Sequence, residues 1–308
     1  MGTPDFAVAS LDALIKNGYN VVGIVTATDK WGGRGGKELL QSDVKKYALQ
    51  YDIPILQPEK LKAPEFLEQL RALQADLQVV VAFRMLPEVV WNMPKYGTIN
   101  VHGSLLPKYR GAAPINWAIM NGEKETGVTT FFLQHEIDTG DLIGQASTPI
   151  DENENFESVY NRLKYIGADL LVQTLKDIEG GKTKGQAQDT SQATHAPKIF
   201  KETCQIDFKN KSTVEIHNFV RGLSPHPAAW TTIDGLMLKI YKTKVEITTP
   251  VGNESEIGTI YASLKEDLFT IRTKDGLLHI EELQLEKRKR MTKREFLNGY
   301  KFQNNTIA

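Results

Sequence analysis

The sequence predicts an α/β protein with a mostly parallel sheet in its first half and a small β-barrel in its second half. In the first half, short β-branched patterns alternate with helical apolar spacing, which is typical of βαβ units. In the second half, five short strand patterns follow one another over residues 230–285, which is typical of a small barrel. The chain has 308 residues, enough for two domains. Because residues 182–200 are polar and lack periodicity, we expect a domain over residues 1–181, a linker over 182–200 and a second domain over 201–308.

The elements of the first half follow from the spacing of apolar residues. Helical spacing predicts four helices, over residues 4–16, 44–51, 64–73 and 156–179. Runs of β-branched residues predict six strands, over residues 21–26, 54–56, 77–82, 98–102, 127–133 and 143–149. The stretch over residues 29–43 is polar and rich in glycine, so we expect a loop there.

The start of the chain departs from this pattern, because a helix is predicted almost directly after Met1. A doubly wound sheet normally begins with a strand that leads into the first helix. Gly2, Thr3 and Pro4 are typical of the loop that would follow such a strand. We therefore expect the first strand of the sheet to be missing, and the alternative is a fold that simply starts with a helix.

The second half is dominated by strand patterns. We expect one helix over residues 214–223 and strands over residues 230–233, 236–247, 258–262, 268–273 and 277–285. Thr292 and Glu295 are spaced as a capping box, in which each side chain bonds a backbone N–H of the other residue, so a short final helix should begin there.

Composition excludes several classes of protein. The net charge is −1, so any binding to nucleic acid must depend on local patches of charge. Cys204 is the single cysteine, which fits a reducing compartment, and we expect it to be buried rather than catalytic. The longest apolar runs are too short to cross a bilayer, and no signal peptide is recognisable. We therefore expect a soluble, cytoplasmic protein that does not bind membranes.

The strongest chemical signal lies in the stretch TINVHGSLLPKYRG, residues 98–111. Side chains two apart on a strand point the same way, so Asn100 and His102 share one face of the predicted strand. An amide and an imidazole side by side at a strand end indicate a site, although a core strand with two hydrogen-bonded polar residues is an equal alternative. Asp138 lies in the turn sequence DTGD and is open to two interpretations, a turn residue or a third member of the site.

An amide, an imidazole and a carboxylate suit acyl transfer to an amine without a covalent enzyme intermediate. A protonated imidazole can stabilise a developing oxyanion, and a carboxylate beside it favours that form. Ser104 lacks the flanking residues of a nucleophile elbow. The sequence has no dinucleotide fingerprint, its Gly32–Lys37 stretch is not a complete phosphate-binding loop, and its six histidines show no metal-ligand spacing. We expect no metal.

Four motifs together resemble the folate-dependent formyltransferases over almost the whole chain. They are HGSLLPKYRG with Asn100 two residues before its histidine, IDTGD around Asp138, GAAPINWAI from Gly111 and GTPDFA from Gly2. The last two, with the β-rich second half, are similar to the members that act on initiator methionyl-tRNA. The resemblance implies a Rossmann-like first domain that begins with a strand, and an OB-like barrel that helps to hold the tRNA.

The resemblance also implies roles for particular residues. Asn100, His102 and Asp138 match the catalytic residues of the family. The residues that match the folate-site segment are Ser104, Leu105, Leu106 and Pro107. One wall of the pterin pocket, often AYGLILP in the family, reads AFRMLP here, which is one residue shorter and carries Arg84 in place of a small residue. We expect Phe83 and Met85 of this wall to contact folate as well.

Two basic stretches are candidates for tRNA contact. One is the glycine-rich loop, with Lys30, Trp31, Arg34 and Lys37, which in the family enters the acceptor end of the tRNA. Its glycines would keep it mobile until RNA orders it, and Trp31 could stack on an exposed base. The other is Lys287, Arg288, Lys289 and Arg290, for which a solvated run of charge is the alternative.

The activity implied is transfer of a formyl group from 10-formyltetrahydrofolate to the α-amine of initiator methionyl-tRNA, by direct attack. We expect a monomer with folate as co-substrate. Two alternatives stay open: a formyltransferase that acts on a sugar or nucleotide amine, and a non-catalytic RNA-binding remnant. The basic loop and the β-rich second domain favour tRNA, and an intact set of Asn100, His102 and Asp138 favours catalysis.

Overall fold

The computed structural model describes residues 1–33, 35–183, 185–247, 257–304 and 306–307. The chain divides into two compact units, and each unit is built from several stretches of chain. The first unit comprises Met1–Gly111, Glu125–Thr148 and Tyr160–His195. The second comprises Ala112–Lys124, Pro149–Val159 and Ala196–Ala308.

The described elements have the following bounds. The helices are α1 (Asp5–Lys16), α2 (Asp43–Ala48), α3 (Pro64–Ala72), α4 (Glu88–Trp91), α5 (Pro114–Met120), α6 (Phe156–Glu179), α7 (Thr213–Leu223) and α8 (Lys293–Gly299), with 3₁₀ turns at Thr190–Gln192 and Glu202–Cys204. The strands are β1 (Ile24–Val25), β2 (Lys30–Gly32), β3 (Glu38–Leu40), β4 (Ile55–Leu56), β5 (Gln78–Val81), β6 (Thr98–His102), β7 (Arg110–Gly111), β8 (Glu125–Phe132), β9 (Leu142–Pro149), β10 (His195–Ala196), β11 (Ala229–Ile233), β12 (Leu236–Ile247), β13 (Ile260–Ser263), β14 (Leu268–Arg272), β15 (Gly276–Leu285) and β16 (Met291–Thr292).

The sheet of the first unit lies in two parts. Strands β5, β6, β8 and β9 form a four-stranded sheet in that order, and β1 pairs with β4. The β1–β4 and β5–β6 pairs are parallel, whereas β8 runs antiparallel to β6. Strand β6 has a neighbour on each side, and its side chains Ile99 and Val101 are almost fully buried. This Rossmann-like arrangement confirms the predicted α/β class and carries His102 to the carboxyl end of β6.

Met1 and Gly2 lie between the two parts of this sheet. The Gly2 N–H donates to the carbonyl of Val25 (3.0 Å), and the Val81 N–H donates to the carbonyl of Met1 (2.9 Å). These two residues therefore occupy the place in the sheet where a first strand, which we expect to be missing, would lead into α1. An apolar-lined cavity of about 150 Å³ adjoins them, and residues 21–23 lie outside strand β1.

The second unit contains an antiparallel six-stranded sheet. Strands β11, β12, β15, β14 and β13 follow one another in that order, and β16 pairs with β15. Ile307 bridges Ile233 at one edge of the sheet, and Thr306 bridges Thr259 beside the other edge, so the end of the chain joins both edges. The capping boxes of Ser212–Glu215 on α7 and Thr292–Glu295 on α8 are both present, which confirms the predicted start of the final helix.

The structure differs from the sequence-based elements where an element is short. The strand predicted over residues 21–26 is reduced to β1, because only Ile24 and Val25 have parallel partners. The glycine-rich stretch contains the β2–β3 hairpin instead of a plain loop. Helices α4 and α5 were not predicted, since one spans 4 residues and the other 7, too few to show helical periodicity.

Two further expectations concern the single cysteine and membrane-spanning helices. Cys204 is 1% exposed, and burial raises the pKa of its thiol, which fits an inert core residue. None of the helices in the described part of the chain combines the length and apolar character that a membrane span requires.

Candidate active site

Strand β6 presents the two polar residues that its pleat predicts on one face. His102 is 6% exposed at the last position of the strand, and Asn100 is half-buried two residues before it. In the strand register Asn100 stands between Val80 of β5 and Phe131 of β8. The Phe131 ring approaches the imidazole edge-to-face at 6.4 Å between centroids. The imidazole is therefore held at the carboxyl edge of the sheet, where open α/β sheets bind ligands.

The imidazole of His102 stands between two hydrogen-bond acceptors. Its Nε2 lies 2.9 Å from the carbonyl oxygen of Tyr109, and because a carbonyl only accepts, Nε2 donates in this contact. Its Nδ1 lies 3.8 Å from Oδ2 of Asp138. That distance is longer than a hydrogen bond, so Nδ1 is not committed to a direct bond with the carboxylate.

Asp138 is buried and oriented by the backbone of β7. It is 9% exposed, and its Oδ2 accepts a hydrogen bond from the Gly111 N–H at 2.8 Å. The structure thus brings together two stretches that are separate in the sequence. One contains His102 and Gly111, and the other contains Asp138. A bare turn aspartate would be exposed, and Asp138 is not.

Three non-glycine residues in the left-handed region surround this site. They are Ala82 (φ 47°), which directly follows β5, Tyr109 (φ 60°), whose carbonyl contacts His102, and Asp138 (φ 56°). Left-handed conformations are costly for residues with a Cβ and concentrate at functional sites, where surrounding contacts maintain them. Two of them, Tyr109 and Asp138, face the imidazole itself, which supports a functional interpretation of this edge.

The segment Ser104–Pro107 begins directly after Gly103, the residue that follows β6. Ser104 is fully buried and its hydroxyl donates to the Lys108 carbonyl at 2.7 Å, while Leu106 is 3% exposed. Leu105 and Pro107 are half-buried. The buried side chains of Ser104 and Leu106 therefore stabilise the loop, whereas those of Leu105 and Pro107 are partly exposed and could contact a ligand.

The AFRMLP segment follows β5 at the same edge of the sheet. Phe83 is half-buried, and Met85 is 69% exposed. The guanidinium of Arg84 donates to the carbonyls of Pro58 and Glu59, and it lies over the Phe83 ring at 5.6 Å. Arg84 thus ties this segment to the neighbouring loop, and its charged group is occupied by backbone carbonyls.

The β2–β3 hairpin projects basic and aromatic groups. Lys30 and Lys37 are exposed, and Trp31 is 71% exposed. Arg34, which the sequence also suggests for tRNA contact, lies outside the described residues. A network at the base of the hairpin joins Asp29, Lys45 and Gln57, and the Lys45 ammonium lowers the pKa of Asp29.

The second basic stretch follows β15 in the second unit. Lys287, Arg288, Lys289 and Arg290 are all exposed. Arg290 pairs with Glu282 and stacks over the Tyr241 ring at 4.4 Å, so its guanidinium is engaged within the unit. Among the residues that the structure describes, no group of three or more His, Cys, Asp or Glu is arranged to hold a metal ion.

The structure adds one residue that sequence reasoning missed. Gln188 lies in the segment predicted as a linker, and its side-chain amide donates to the carbonyls of Asp138 (2.9 Å) and Gly140 (2.8 Å). No local pattern marks it, because one of several glutamines in a polar segment carries no signal of a long-range contact.

Comparison with known protein sequences finds formyltransferases along nearly the whole chain. Residues 1–175 match the family described as Formyl transferase, and residues 198–301 match Formyl transferase, C-terminal domain. The methionyl-tRNA formyltransferase of Parabacteroides distasonis is 53% identical over 311 residues, covering 98% of this chain and 94% of the relative. The methionyl-tRNA formyltransferase of Flavobacterium johnsoniae is 48% identical over 307 residues, covering 98% of this chain and 95% of the relative.

Solved structures share the fold at lower identity. An N-formyltransferase from Helicobacter canadensis, in complex with folinic acid and dTDP-3-aminofucose, aligns with a TM-score of 0.65 and 22% identity, covering 94% of this chain and 97% of that one. HypX from Aquifex aeolicus, in complex with tetrahydrofolic acid, aligns with a TM-score of 0.61 and 19% identity, covering 92% of this chain and 49% of that one. At these identities the likeness concerns the fold alone.

Proposed function

This chain belongs to the formyl transferase family, and from that premise we propose that it transfers a formyl group from 10-formyltetrahydrofolate to the α-amine of methionyl-tRNA. The observation that carries the proposal is the placement of His102 at the end of β6, between the Tyr109 carbonyl and the Asp138 carboxylate. The relatives that match nearly the whole chain at about half identity are named as methionyl-tRNA formyltransferases, so a sugar or nucleotide amine is not the favoured acceptor.

The reaction needs one bond formed and one broken. The lone pair of the methionine amine attacks the formyl carbon, which forms a C–N bond and turns the formyl oxygen into an oxyanion. When the oxyanion collapses, the bond between the formyl carbon and N10 of the folate breaks. The amine loses one proton and N10 gains one, so the products are formylmethionyl-tRNA and tetrahydrofolate.

The three polar residues can divide this work. Asn100 would hold the formyl oxygen or the amine in line, because an amide side chain can both donate and accept. The Nδ1–H of His102, the N–H that the Tyr109 carbonyl does not occupy, would stabilise the oxyanion or pass a proton to the leaving nitrogen. Asp138 would stabilise the imidazole as positive charge develops on it, across the 3.8 Å that separates Oδ2 from Nδ1. Such preorganised donors are often the largest single contribution to a rate enhancement.

We place the folate co-substrate along the carboxyl edge of β5 and β6. Leu105 and Pro107 on one side and Phe83 and Met85 on the other offer apolar surface to the pterin. Arg84 would act on this pocket indirectly, because its guanidinium is bound to the carbonyls of Pro58 and Glu59. Ser104 and Leu106 would maintain the loop from within.

We place the tRNA on exposed basic groups of both units. In the first unit these are Lys30 and Lys37, with Trp31 available for stacking on a base. In the second they are Lys287, Arg288 and Lys289, whereas Arg290 would chiefly maintain the local structure. Residues 1–181 would then supply catalysis and residues 201–308 would help to hold the tRNA. Selection of the initiator tRNA, action as a monomer and a cytoplasmic location belong to the same proposal.

A direct test compares acceptors. Purified protein with 10-formyltetrahydrofolate is expected to formylate charged initiator methionyl-tRNA and to leave nucleotide-linked amino sugars unchanged. A folate analogue should raise the melting temperature, since a ligand that binds the native state stabilises it. Formylation of the sugar alone would favour the sugar-amine alternative, and stabilisation by neither folate nor tRNA would contradict the proposal as a whole.

The hairpin offers a quantitative prediction about tRNA binding. The double variant Lys30→Ala/Lys37→Ala should raise KM for methionyl-tRNA several-fold and leave KM for the folate unchanged, because phosphate contacts add binding without touching the reacting atoms. The slope of log KM against log salt should also become shallower, by about one unit for each phosphate that the variant no longer neutralises. Initial rates over a salt series measure both quantities.

A matched control removes the same charge elsewhere in the first unit. Lys176 and Lys182 are exposed at the end of α6 and just beyond it. The Lys176→Ala/Lys182→Ala variant should keep the KM and the salt slope of the unmodified protein. Equal changes in the two double variants would show that net charge, and not the hairpin, governs tRNA binding.

A further inference from the structure

We propose that Gln188 is a positioning residue, which together with Arg110 holds Asp138 in place against His102. The inference rests on the proposed function, because it concerns the same site. The residues involved lie in three separate stretches of the first unit: the β6–β7 region, the turn that carries Asp138, and the segment after α6.

The amide of Gln188 uses its full hydrogen-bonding capacity. Its Oε1 accepts from Nε of Arg110 (3.1 Å) and from Nη2 of the same guanidinium (2.6 Å). Its Nε2 donates to the carbonyls of Asp138 (2.9 Å) and Gly140 (2.8 Å). A side-chain amide has two N–H donors and two acceptor lone pairs, so all four are occupied. Glutamine therefore matches this position in both length and polarity.

Arg110 fixes the other end of this amide. It is 8% exposed, and its backbone N–H donates to the Thr194 carbonyl at 2.9 Å. The next residue, Gly111, donates its N–H to Oδ2 of Asp138. Strand β7 therefore positions Asp138 in two ways. Gly111 binds the Asp138 carboxylate directly, and Arg110 holds Gln188, which binds the Asp138 backbone carbonyl.

The turn that carries Asp138 needs such support. Asp138 has a φ of 56°, a conformation that residues with a Cβ adopt only when contacts compensate. Beyond it, Gly140 lies so close to the Phe132 carbonyl that a Cβ there would be 1.6 Å from its oxygen, and the Phe132 N–H donates to the Asp141 carbonyl at 3.0 Å. Gly140 and Asp141 therefore pack against Phe132 of β8, and Gln188 binds the carbonyl of Asp138 at the start of the turn.

The backbone around Gln188 is itself anchored. Gln186 and Leu142 exchange two backbone hydrogen bonds, at 2.8 and 2.9 Å. In the segment predicted as a linker, Gln186 therefore bridges Leu142, the first residue of β9, two residues before Gln188. This arrangement presents Gln188 from a fixed backbone, as a precise positioning contact requires.

The test uses Gln188→Glu, which keeps the size of the side chain and removes both N–H donors. A carboxylate there would face the carbonyls of Asp138 and Gly140, and repulsion would displace the turn. We expect kcat for formylation of methionyl-tRNA to fall about 10- to 100-fold, since misplacement of a catalytic group by about 1 Å can cost about 100-fold. Both KM values should stay within about two-fold, since Gln188 touches neither substrate.

Two further variants separate positioning from general damage. Gln186→Glu makes the same change two residues away at an exposed side chain and should keep the activity of the unmodified protein. Gln188→Glu added to Asp138→Asn should cost nothing beyond Asp138→Asn alone, because a residue that acts through Asp138 cannot act once that carboxylate is gone. Fully additive losses, or unchanged kcat in Gln188→Glu, would overturn the inference while leaving the proposed function intact.

A crystal structure of the Gln188→Glu protein gives a readout that needs no activity. The distance from His102 Nδ1 to Asp138 Oδ2 should exceed the 3.8 Å of the unmodified protein, and the Gly111 N–H should lose its bond to Oδ2. An unmoved Asp138 would refute the positioning role, even for a protein that failed to formylate methionyl-tRNA. Inactivity of the unmodified protein toward methionyl-tRNA would count against the proposed function alone.

Discussion

Replacing His102 with alanine is expected to lower kcat several hundred-fold while the protein still folds. The variant loses the imidazole that stands between the Tyr109 carbonyl and the Asp138 carboxylate. Removing one preorganised donor to a developing oxyanion costs about 3–4 kcal/mol of transition-state stabilisation, which corresponds to this loss. KM for both substrates should change far less than kcat, because the interaction is made mainly in the transition state.

Steady-state kinetics with a melting curve for each variant checks this expectation. His102 is buried, so alanine leaves a small cavity and should lower the melting temperature by a few degrees without preventing folding. His135→Ala is the matched control, because His135 is an exposed histidine of the same unit, packed edge-to-face on Trp91. Near-normal kcat in His102→Ala, or an equal loss in His135→Ala, would exclude His102 as the catalytic group.

Asp138→Asn should lower kcat about 100-fold with little change in stability. The substitution keeps the shape of the side chain, and the amide oxygen can still accept the Gly111 N–H. It removes the negative charge that faces Nδ1 of His102 at 3.8 Å. An imidazole that must carry positive charge during the reaction then loses its counter-charge in a buried site, where such interactions are stronger than in water.

The control for this variant lies in the same turn. Glu136 is exposed two residues before Asp138, and Glu136→Gln removes one negative charge without touching the site. Its kcat should match that of the unmodified protein. Combining Asp138→Asn with His102→Ala should cost little more than His102→Ala alone, because the carboxylate acts through the imidazole. Independent, additive losses would mean that Asp138 acts directly on the substrate.

Long and strongly patterned elements were predictable from the sequence. Helix α6 has the predicted bounds, because its 24 residues keep one apolar stripe over more than six turns. Strand β12 and the capping box of α8 were also predicted correctly. The β2–β3 hairpin was not predicted, and the strand predicted over residues 21–26 is reduced to the two-residue β1, because such short strands depend on pairing with a partner strand more than on their own apolar pattern.

The candidate site also contains residues that the sequence could predict and one that it could not. The strand alternation of β6 is a local property, so it places Asn100 and His102 on one face whatever the strand packs against. The family resemblance adds Asp138, which its own turn sequence leaves ambiguous. Gln188 could not be found in this way, because its four hydrogen bonds go to residues 48 to 78 positions away in the chain.

The sequence by itself determined the α/β class, the β-rich second half and the chemical character of the site, since periodicity and side-chain chemistry are properties of short segments. The tertiary structure decided which groups meet: His102 with the Tyr109 carbonyl, Asp138 with the Gly111 N–H, and Gln188 with both Arg110 and the Asp138 turn. The physical reason is that hydrogen bonds require approach within about 3 Å, and between residues far apart in the sequence only the packing of their segments sets such distances.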